Sequence, residues 1–223
     1  MMQRTPEPEE LMDRRDQAEA YAEADFSDAN TLFVDLLADA AADEPGESAL
    51  DLGCGPADIP IRLARRYPRL HIDAVDGAQA MLDLAGQAID DLPDMRNRIR
   101  LICDLLPCAG LPSNGYDTLV SNSLLHHLSD PALMWETIIR YAKPGALVMV
   151  MDLARPDSAK AVEALVTLYA EDAPAVLQRD FRNSLFAAYR VDEVEAQLRA
   201  VGLSHLRVEN VSDRHLAVSG RMP

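Results

Sequence analysis

The stretch that decides the fold is residues 49–58, which read Ala-Leu-Asp-Leu-Gly-Cys-Gly-Pro-Ala-Asp. A short apolar strand runs into glycines here, and a helix follows. This order places a ligand at the carboxyl end of the first strand, the usual crevice of an open α/β sheet. Gly53 and Gly55 lack the Cβ atoms that would keep a ligand away from the backbone. A Gly-x-Gly pair is common in turns, so the interpretation depends on the sequence around it.

Strands and helices alternate after this loop, as expected for a parallel sheet covered on both faces. Asp58 is expected as the N-cap of the first helix, and Lys143-Pro144-Gly145 as the end of the last. The predicted strands are 48–53, 71–75, 99–103, 117–121 and 146–152. The predicted helices between them are 59–67, 78–89 and 131–141.

The segments before and after this alternating region have a different pattern of apolar residues. Helical periodicity covers 11–42, with a break near 25–30, and returns over 157–200. Two strand-like segments, 206–211 and 215–219, predict a terminal antiparallel hairpin. We expect a single domain, 1–223, whose parts are an N-terminal helical lid (1–45), a core (46–155), a helical cap (156–203) and the hairpin (204–223).

Acidic residues follow the predicted strands at the same edge. Asp76 comes 21 positions after Gly55, at the end of the second strand, where a carboxylate accepts hydrogen bonds from ribose hydroxyls. Asp104 follows the third strand, where it either binds an adenine amino group or caps a loop. Asp51 and Asp58 would repel a pyrophosphate, which disfavours a nicotinamide cofactor. The pattern instead favours a nucleoside that carries an amino acid.

Four motifs in order resemble a class I S-adenosylmethionine-dependent methyltransferase: D-L-G-C-G-P-A-D, V-D-G-A-Q-A-M-L, Y-D-T-L-V-S-N-S-L-L-H-H-L and A-K-P-G-A. They cover roughly residues 48–153. The chain departs from the pattern at Ala57, where many members have a glycine, and at Gly145-Ala146, where they have two. The resemblance implies a Rossmann-like α/β fold with a seven-stranded methyltransferase sheet, a terminal antiparallel hairpin that supplies the reversed strand, and a helical lid.

The resemblance also implies a cofactor, S-adenosyl-L-methionine, and the residues that hold it. Asp51 would approach the methionine amino group, and Asp76 would hold the ribose hydroxyls. Asn122, at the end of the fourth strand, would sit near the sulfonium. The other implied cofactor-binding residues are Gly53, Cys54 and Gly55 along methionine and ribose, Gly77 and Ala78 beside Asp76, and Asp104 and Leu105 at the adenine.

The candidate catalytic residues are His126, His127, Asn122 and Tyr21. Either histidine is a candidate general base, because histidine titrates near neutrality, and the alternative for both is packing. Tyr21, with Phe26, either enters the acceptor pocket or packs its own helix.

Polar residues at the end of the predicted core and in the predicted cap each have two possible roles. Arg155 either anchors an acceptor anion or pairs with Asp152. Arg179 or Asn183 either faces the pocket or lies on a solvated helix face.

The amino-acid composition disfavours some classes of binding partner. The chain of 223 residues has 37 acidic and 21 basic residues, a net charge of −16, which disfavours bulk capture of nucleic acid or an anionic membrane. Three cysteines in no C-x-x-C pair predict neither a disulfide framework nor a structural zinc, and no metal site is expected.

We expect a cytoplasmic enzyme with a small-molecule acceptor. Two rivals are a methyltransferase acting on protein or tRNA and a non-catalytic S-adenosylmethionine-binding module. Monomer and homodimer both remain open.

Overall fold

A seven-stranded sheet with the strand order β3-β2-β1-β4-β5-β7-β6 forms the centre of the protein. The computed structural model describes residues 2–7, 11–42 and 44–223. The strands are β1 (Ser48–Leu52), β2 (His71–Asp76), β3 (Ile99–Cys103), β4 (Tyr116–Asn122), β5 (Ala142–Leu153), β6 (Arg207–Asn210) and β7 (His215–Arg221).

The first five strands are parallel, β7 runs antiparallel to them, and β6 runs in the same direction as the first five. β1 lies between β2 and β4, with Leu52 opposite Val75 on one side and Asp51 opposite Val120 on the other. β7 pairs antiparallel with both β5 and β6. The predicted fold is confirmed, including the reversed strand that the terminal hairpin supplies.

Eight helices and one 3-10 turn connect the strands of the described chain. The helices are α1 (Arg15–Glu23), α2 (Ser27–Ala41), α3 (Asp58–Arg66), α4 (Gln79–Asp90), α5 (Ala132–Tyr141), α6 (Ala159–Ala170), α7 (Ala175–Ala187) and α8 (Val191–Ala200). The 3-10 turn, Leu125–His127, follows β4.

Each face of the sheet has its own apolar core. On one face, Phe33 and Leu37 of α2 are fully buried together with Leu63 of α3. On the other face, Trp135 and Tyr141 of α5 are fully buried. Helix α2 therefore helps to cover the sheet, in addition to standing beside its carboxyl edge.

Two local expectations were wrong. Asp58 is the first residue of α3, not its cap; the N-cap is Ala57, in the left-handed conformation with φ 68°. The fifth strand begins at Ala142, directly after α5, so Lys143-Pro144-Gly145 lies within the strand. This happens because Ala142 pairs with Tyr116 of β4, and the backbone N–H of Gly145 donates to Met222.

The N-terminal segments reach the carboxyl edge of the sheet. Helix α1 packs against α4 and α7. The amide of Gln17 in α1 donates to Asp180 of α7 at 2.7 Å. The backbone N–H of Thr5 donates to Phe186 at 3.0 Å, which attaches the first residues to the end of α7. None of the described helices combines the length and apolarity needed to cross a bilayer.

Candidate active site

The glycine loop after β1 is anchored to β2 and leaves room above it. The backbone N–H groups of Gly53 and Cys54 donate to the carbonyl of Val75 at 2.8 and 3.0 Å. Gly55 has φ 52°, in the left-handed region that favours glycine. A Cβ added to Gly55 would meet no described atom within 4 Å, so open space lies above the loop. The loop thus offers a cradle in which a ligand can approach the backbone.

Asp76 ties two loops together at the end of β2. One carboxylate oxygen accepts the N–H of Gly55 at 2.8 Å, and the other accepts the N–H of Ala78 at 2.8 Å. Burial raises the pKa of Asp76 above its usual value, although these two N–H groups oppose the shift. A carboxylate that bridges the glycine loop and the start of α4 is suited to accept hydrogen bonds from a diol.

Asp51 is a buried carboxyl group that lacks a full set of partners. It is 1% exposed, and its Oδ2 has no hydrogen-bond partner among the residues described. Burial, together with the charge of Asp76, raises the pKa of Asp51 to about 8. Because burying an unpaired carboxylate is costly, a cationic donor such as an ammonium group fits this position.

Asn122 at the end of β4 is joined to α2 by a polar chain. Its Nδ2 donates to Oδ1 of Asn30 at 3.1 Å, and Asn30 in turn donates to Asp58. Arg62 completes the chain with an ion pair to Asp58 at 2.7 Å. In the described part of the chain, Oδ1 of Asn122 has no hydrogen-bond partner although it is buried. Asn30 was not among the predicted site residues, since its contacts with Asn122 and Asp58 join separate elements.

A cavity of about 520 Å³ lies at this edge and brings together six of the thirteen predicted site residues; Asp76, His126 and His127 are not in its lining. Its lining includes Tyr21, Phe26, Asn30, Asp51, Gly53, Cys54, Gly55, Asp58 and Asn122. A larger depression of about 750 Å³ lies between α1 and α4, and the described residues that line it include no predicted site residue. The 520 Å³ cavity is therefore the candidate binding site.

The residues predicted to bind the adenine ring, Asp104 and Leu105, lie outside the lining of this cavity. The two carboxylate oxygens of Asp104 accept the backbone N–H groups of Leu105 and Ala109 at 2.8 and 2.7 Å, as in a loop cap. Leu105 is 60% exposed and, with Leu11, lies against the position a Gly77 Cβ would take. The adenine roles of Asp104 and Leu105 stay predictions.

Tyr21 and Phe26 form an aromatic pair over the cavity. Their ring centroids are 4.7 Å apart, and both rings line the cavity wall. Burial raises the pKa of the Tyr21 hydroxyl to about 12, and Asp76, Asp152 and Asp58 add to the shift. Tyr21 is therefore a neutral hydroxyl near neutral pH.

The two histidines have carboxylate partners. His126 is 2% exposed, and its Nδ1 lies 2.6 Å from Oδ1 of Asp152. Burial lowers the pKa of His126, but Asp152 and Glu7 outweigh that effect, so the pKa lies above its usual value. Nδ1 of His127 lies 3.0 Å from Oε2 of Glu7. Glu7 was not predicted, because nothing in its local sequence marks it as a site residue.

Arg155 does not pair with Asp152. Its guanidinium forms an ion pair with Glu193 and donates to the carbonyl of Ala188 at 2.8 Å. Of the two alternatives for Arg155, the pair with Asp152 is not formed, because Asp152 is turned toward His126 and the backbone N–H of Leu125. Arg179 pairs with its neighbour Asp180 at 2.7 Å.

Comparison with known proteins adds an independent line of evidence. Residues 50–148 match the family model described as "Methyltransferase domain". An uncharacterized methyltransferase of Mycobacterium bovis is 32% identical over 56% of this chain and 60% of its own length. A trans-aconitate 2-methyltransferase of Azoarcus is 29% identical over 56% of this chain and 46% of its own length. The chain thus spans about three fifths or less of these relatives.

A solved structure agrees in fold over nearly the whole chain. A SAM-dependent methyltransferase from Aquifex aeolicus aligns with a TM-score of 0.69 and 19% identity, covering 92% of this chain and 98% of that one. The sheet order and the glycine loop at the carboxyl edge define a Rossmann-like α/β domain. The match of residues 50–148 to the methyltransferase domain model confirms the resemblance seen in the sequence.

Proposed function

We propose that the protein transfers a methyl group from S-adenosylmethionine to a small-molecule acceptor. The observation that carries the proposal is the cavity at the carboxyl edge, where two buried polar atoms without described partners, Oδ2 of Asp51 and Oδ1 of Asn122, accompany the open glycine loop. Both atoms are hydrogen-bond acceptors, and they suit a ligand with an ammonium group and a positively charged sulfonium.

The cofactor supplies an activated methyl group on a sulfonium, which is a good leaving group. The chain's own residues have the tasks of binding, orienting and excluding water. Asp51 accepts a hydrogen bond from the ammonium group at the methionine end of the cofactor. Asp76 accepts hydrogen bonds from the ribose hydroxyls. The Tyr21 hydroxyl remains neutral, since burial raises its pKa to about 12, and so it donates a hydrogen bond but does not remove a proton.

Proton removal from the acceptor is assigned to His127. His126 is less suited, because Nδ1 faces Asp152 at 2.6 Å and Nε2 faces Glu7 at 3.8 Å. We regard His126 as a positioning residue that holds the turn after β4. An acceptor that is already an anion, such as a carboxylate, would not require the base.

A small acceptor is favoured by the enclosure of the site. Tyr21 and Phe26 cover the cavity, and Gln17 links α1 to α7 through Asp180. The trans-aconitate 2-methyltransferase among the relatives is named for a small acid, which supports the same class of acceptor. We also propose that the chain is divided into the N-terminal lid, core, helical cap and terminal hairpin predicted from the sequence.

The test is formation of S-adenosylhomocysteine from S-adenosylmethionine, measured against small carboxylates, thiols, amines and phenols, with bulk tRNA and protein as comparators. We expect turnover with one class of small acceptor and none with the comparators. Turnover with a macromolecule alone would contradict the acceptor class. Cofactor binding without turnover on any acceptor would favour a binding module.

A further inference from the structure

The first residues of the chain bring a carboxylate onto the two adjacent histidines. Arg4 donates to the backbone carbonyl of His126 at 3.0 Å, and Thr5 donates to Phe186 at 3.0 Å. These bonds attach residues 2–7 beside the turn after β4. As a result the side chain of Glu7 is only 10% exposed and faces His126 and His127.

The three side chains converge at distances typical of metal ligands. Oε2 of Glu7 lies 3.0 Å from Nδ1 of His127, and Oε1 lies 3.8 Å from Nε2 of His126. One ligand atom from each of the three residues lies within 4.8 Å of the others. Two ligands about 2.1 Å from a tetrahedral zinc are roughly 3.4 Å apart. The two carboxylate–imidazole separations, one for each Glu7 oxygen, lie on either side of this value.

Nδ1 of His127 is not used by a hydrogen bond. It is buried and has no hydrogen-bond partner within the described ranges, although the Glu7 oxygen is 3.0 Å away. The contact is therefore not aligned as an N–H···O bond. The Glu7 carboxylate and the two imidazoles are close enough to be directed at a common third atom.

The ligands are held by outer contacts of the kind that metal sites require. Nδ1 of His126 is engaged by Asp152 at 2.6 Å, which leaves Nε2 free to face Glu7. Asp152 is itself fixed by the backbone N–H of Leu125 at 2.7 Å. The hydroxyl of Ser184 donates to Oε1 of Glu7 at 2.5 Å.

We propose that Glu7, His126 and His127 form a binding site for a divalent transition-metal ion of the zinc class. Two imidazole nitrogens and one carboxylate are a common catalytic ligand set for such ions, and they leave a fourth position open. Binding of the ion is independent of methyl transfer. Its use in that reaction rests on the proposed function: the open position would take an acceptor oxygen or sulfur and lower its pKa, in place of proton removal by His127.

The test is calorimetric titration of the full chain with zinc chloride after treatment with a chelator. We expect one zinc per chain in the wild type. Glu7→Gln removes a ligand charge and Ser184→Ala removes an outer contact, and each should weaken binding by about 10-fold or more. His205→Ala is the matched control, because His205 is exposed and lies outside the cluster, and it should bind zinc as the wild type does.

Thermal unfolding of each variant and binding of S-adenosylhomocysteine are measured on the same samples. Absence of zinc binding in the wild type, or equal affinity in the wild type and Glu7→Gln, overturns the metal site. If S-adenosylhomocysteine binds in those samples, the proposed function survives that result. Zinc binding without S-adenosylhomocysteine binding would instead support the metal site and count against the proposed cofactor.

Discussion

Asn122 at the end of β4 donates its side-chain amide to Asn30 of α2 at 3.1 Å, across 92 positions of sequence. This bond connects a strand of the central sheet with the helix that stands over its edge. Because Asn30 also donates to Asp58, the contact extends from β4 through α2 to the first turn of α3. The wall of the candidate cofactor cavity is therefore set by side chains from three separate elements.

Substitution of Asn30 tests that wall. Asn30→Ala deprives Asn122 and Asp58 of a partner, and we expect cofactor binding to weaken by about 1–2 kcal/mol, or roughly 5- to 30-fold. Asp39→Ala, at an exposed position on the same helix, is the control and should bind as the wild type does. Calorimetry with S-adenosylhomocysteine measures both. Unchanged affinity in folded Asn30→Ala would show that the bond to Asn122 is not part of the binding site.

The buried carboxyl of Asp51 predicts a dependence of stability on pH. Its pKa is about 8 in the folded protein, against an ordinary value of 3.8. Between these values the folded state holds a proton that the unfolded state has lost, so raising the pH lowers the free energy of unfolding, by at most about 1.4 kcal/mol per pH unit. We expect Asp51→Asn to lack this component, and its stability relative to wild type to rise from pH 4 to pH 8. Urea titrations across that range would measure it; a constant difference would refute the raised pKa.

The same group predicts proton release on cofactor binding. An ammonium group beside Asp51 favours the ionised carboxylate, so binding near pH 7 should expel a proton. Calorimetry in buffers of different ionisation enthalpy measures the number released. We expect a release that approaches one proton in the wild type and disappears in Asp51→Asn. Equal release by the two proteins would place the cofactor's ammonium group away from Asp51.

The burial of α2 predicts a large effect of a core substitution. Phe33 is fully buried against the sheet, and Phe33→Ala should lower the free energy of unfolding by about 3–5 kcal/mol. Thr31→Ala, on the exposed face of the same helix, should change it by less than about 0.5 kcal/mol. Chemical denaturation compares the two. A small effect at Phe33 would mean that α2 opens from the sheet easily, as a mobile lid would.

The sheet and the glycine loop were predictable because their signals are local. Apolar runs mark the strands, and the ends of parallel strands meet at one edge, so the order Asp51, Gly55, Asp76 in sequence predicts neighbours in space. The structure shows this for Gly55 and Asp76, which are hydrogen-bonded at 2.8 Å. The hairpin followed from its length and turn residues in the same way.

The rest of the site depends on contacts that no local pattern records. Glu7 meets Ser184 across 177 positions, and Asn30 meets Asn122 across 92. Both contacts depend on how the N-terminal segments lie against α7 and β4, which is a matter of tertiary packing. The choice between the two alternatives for Arg155 also depended on tertiary packing: Asp152 lies against His126, and Arg155 pairs with Glu193.

The central claim is that the protein binds S-adenosylmethionine at the carboxyl edge of the sheet, where Asp76 holds the ribose hydroxyls. The most direct test is calorimetric titration of S-adenosylhomocysteine into the wild type, Asp76→Ala and the control Asp83→Ala, an exposed position on α4. We predict one site per chain, binding weakened by about 1–3 kcal/mol in Asp76→Ala, and no change in the control. Equal affinity in folded Asp76→Ala and wild type, or no binding by the wild type, would contradict the account.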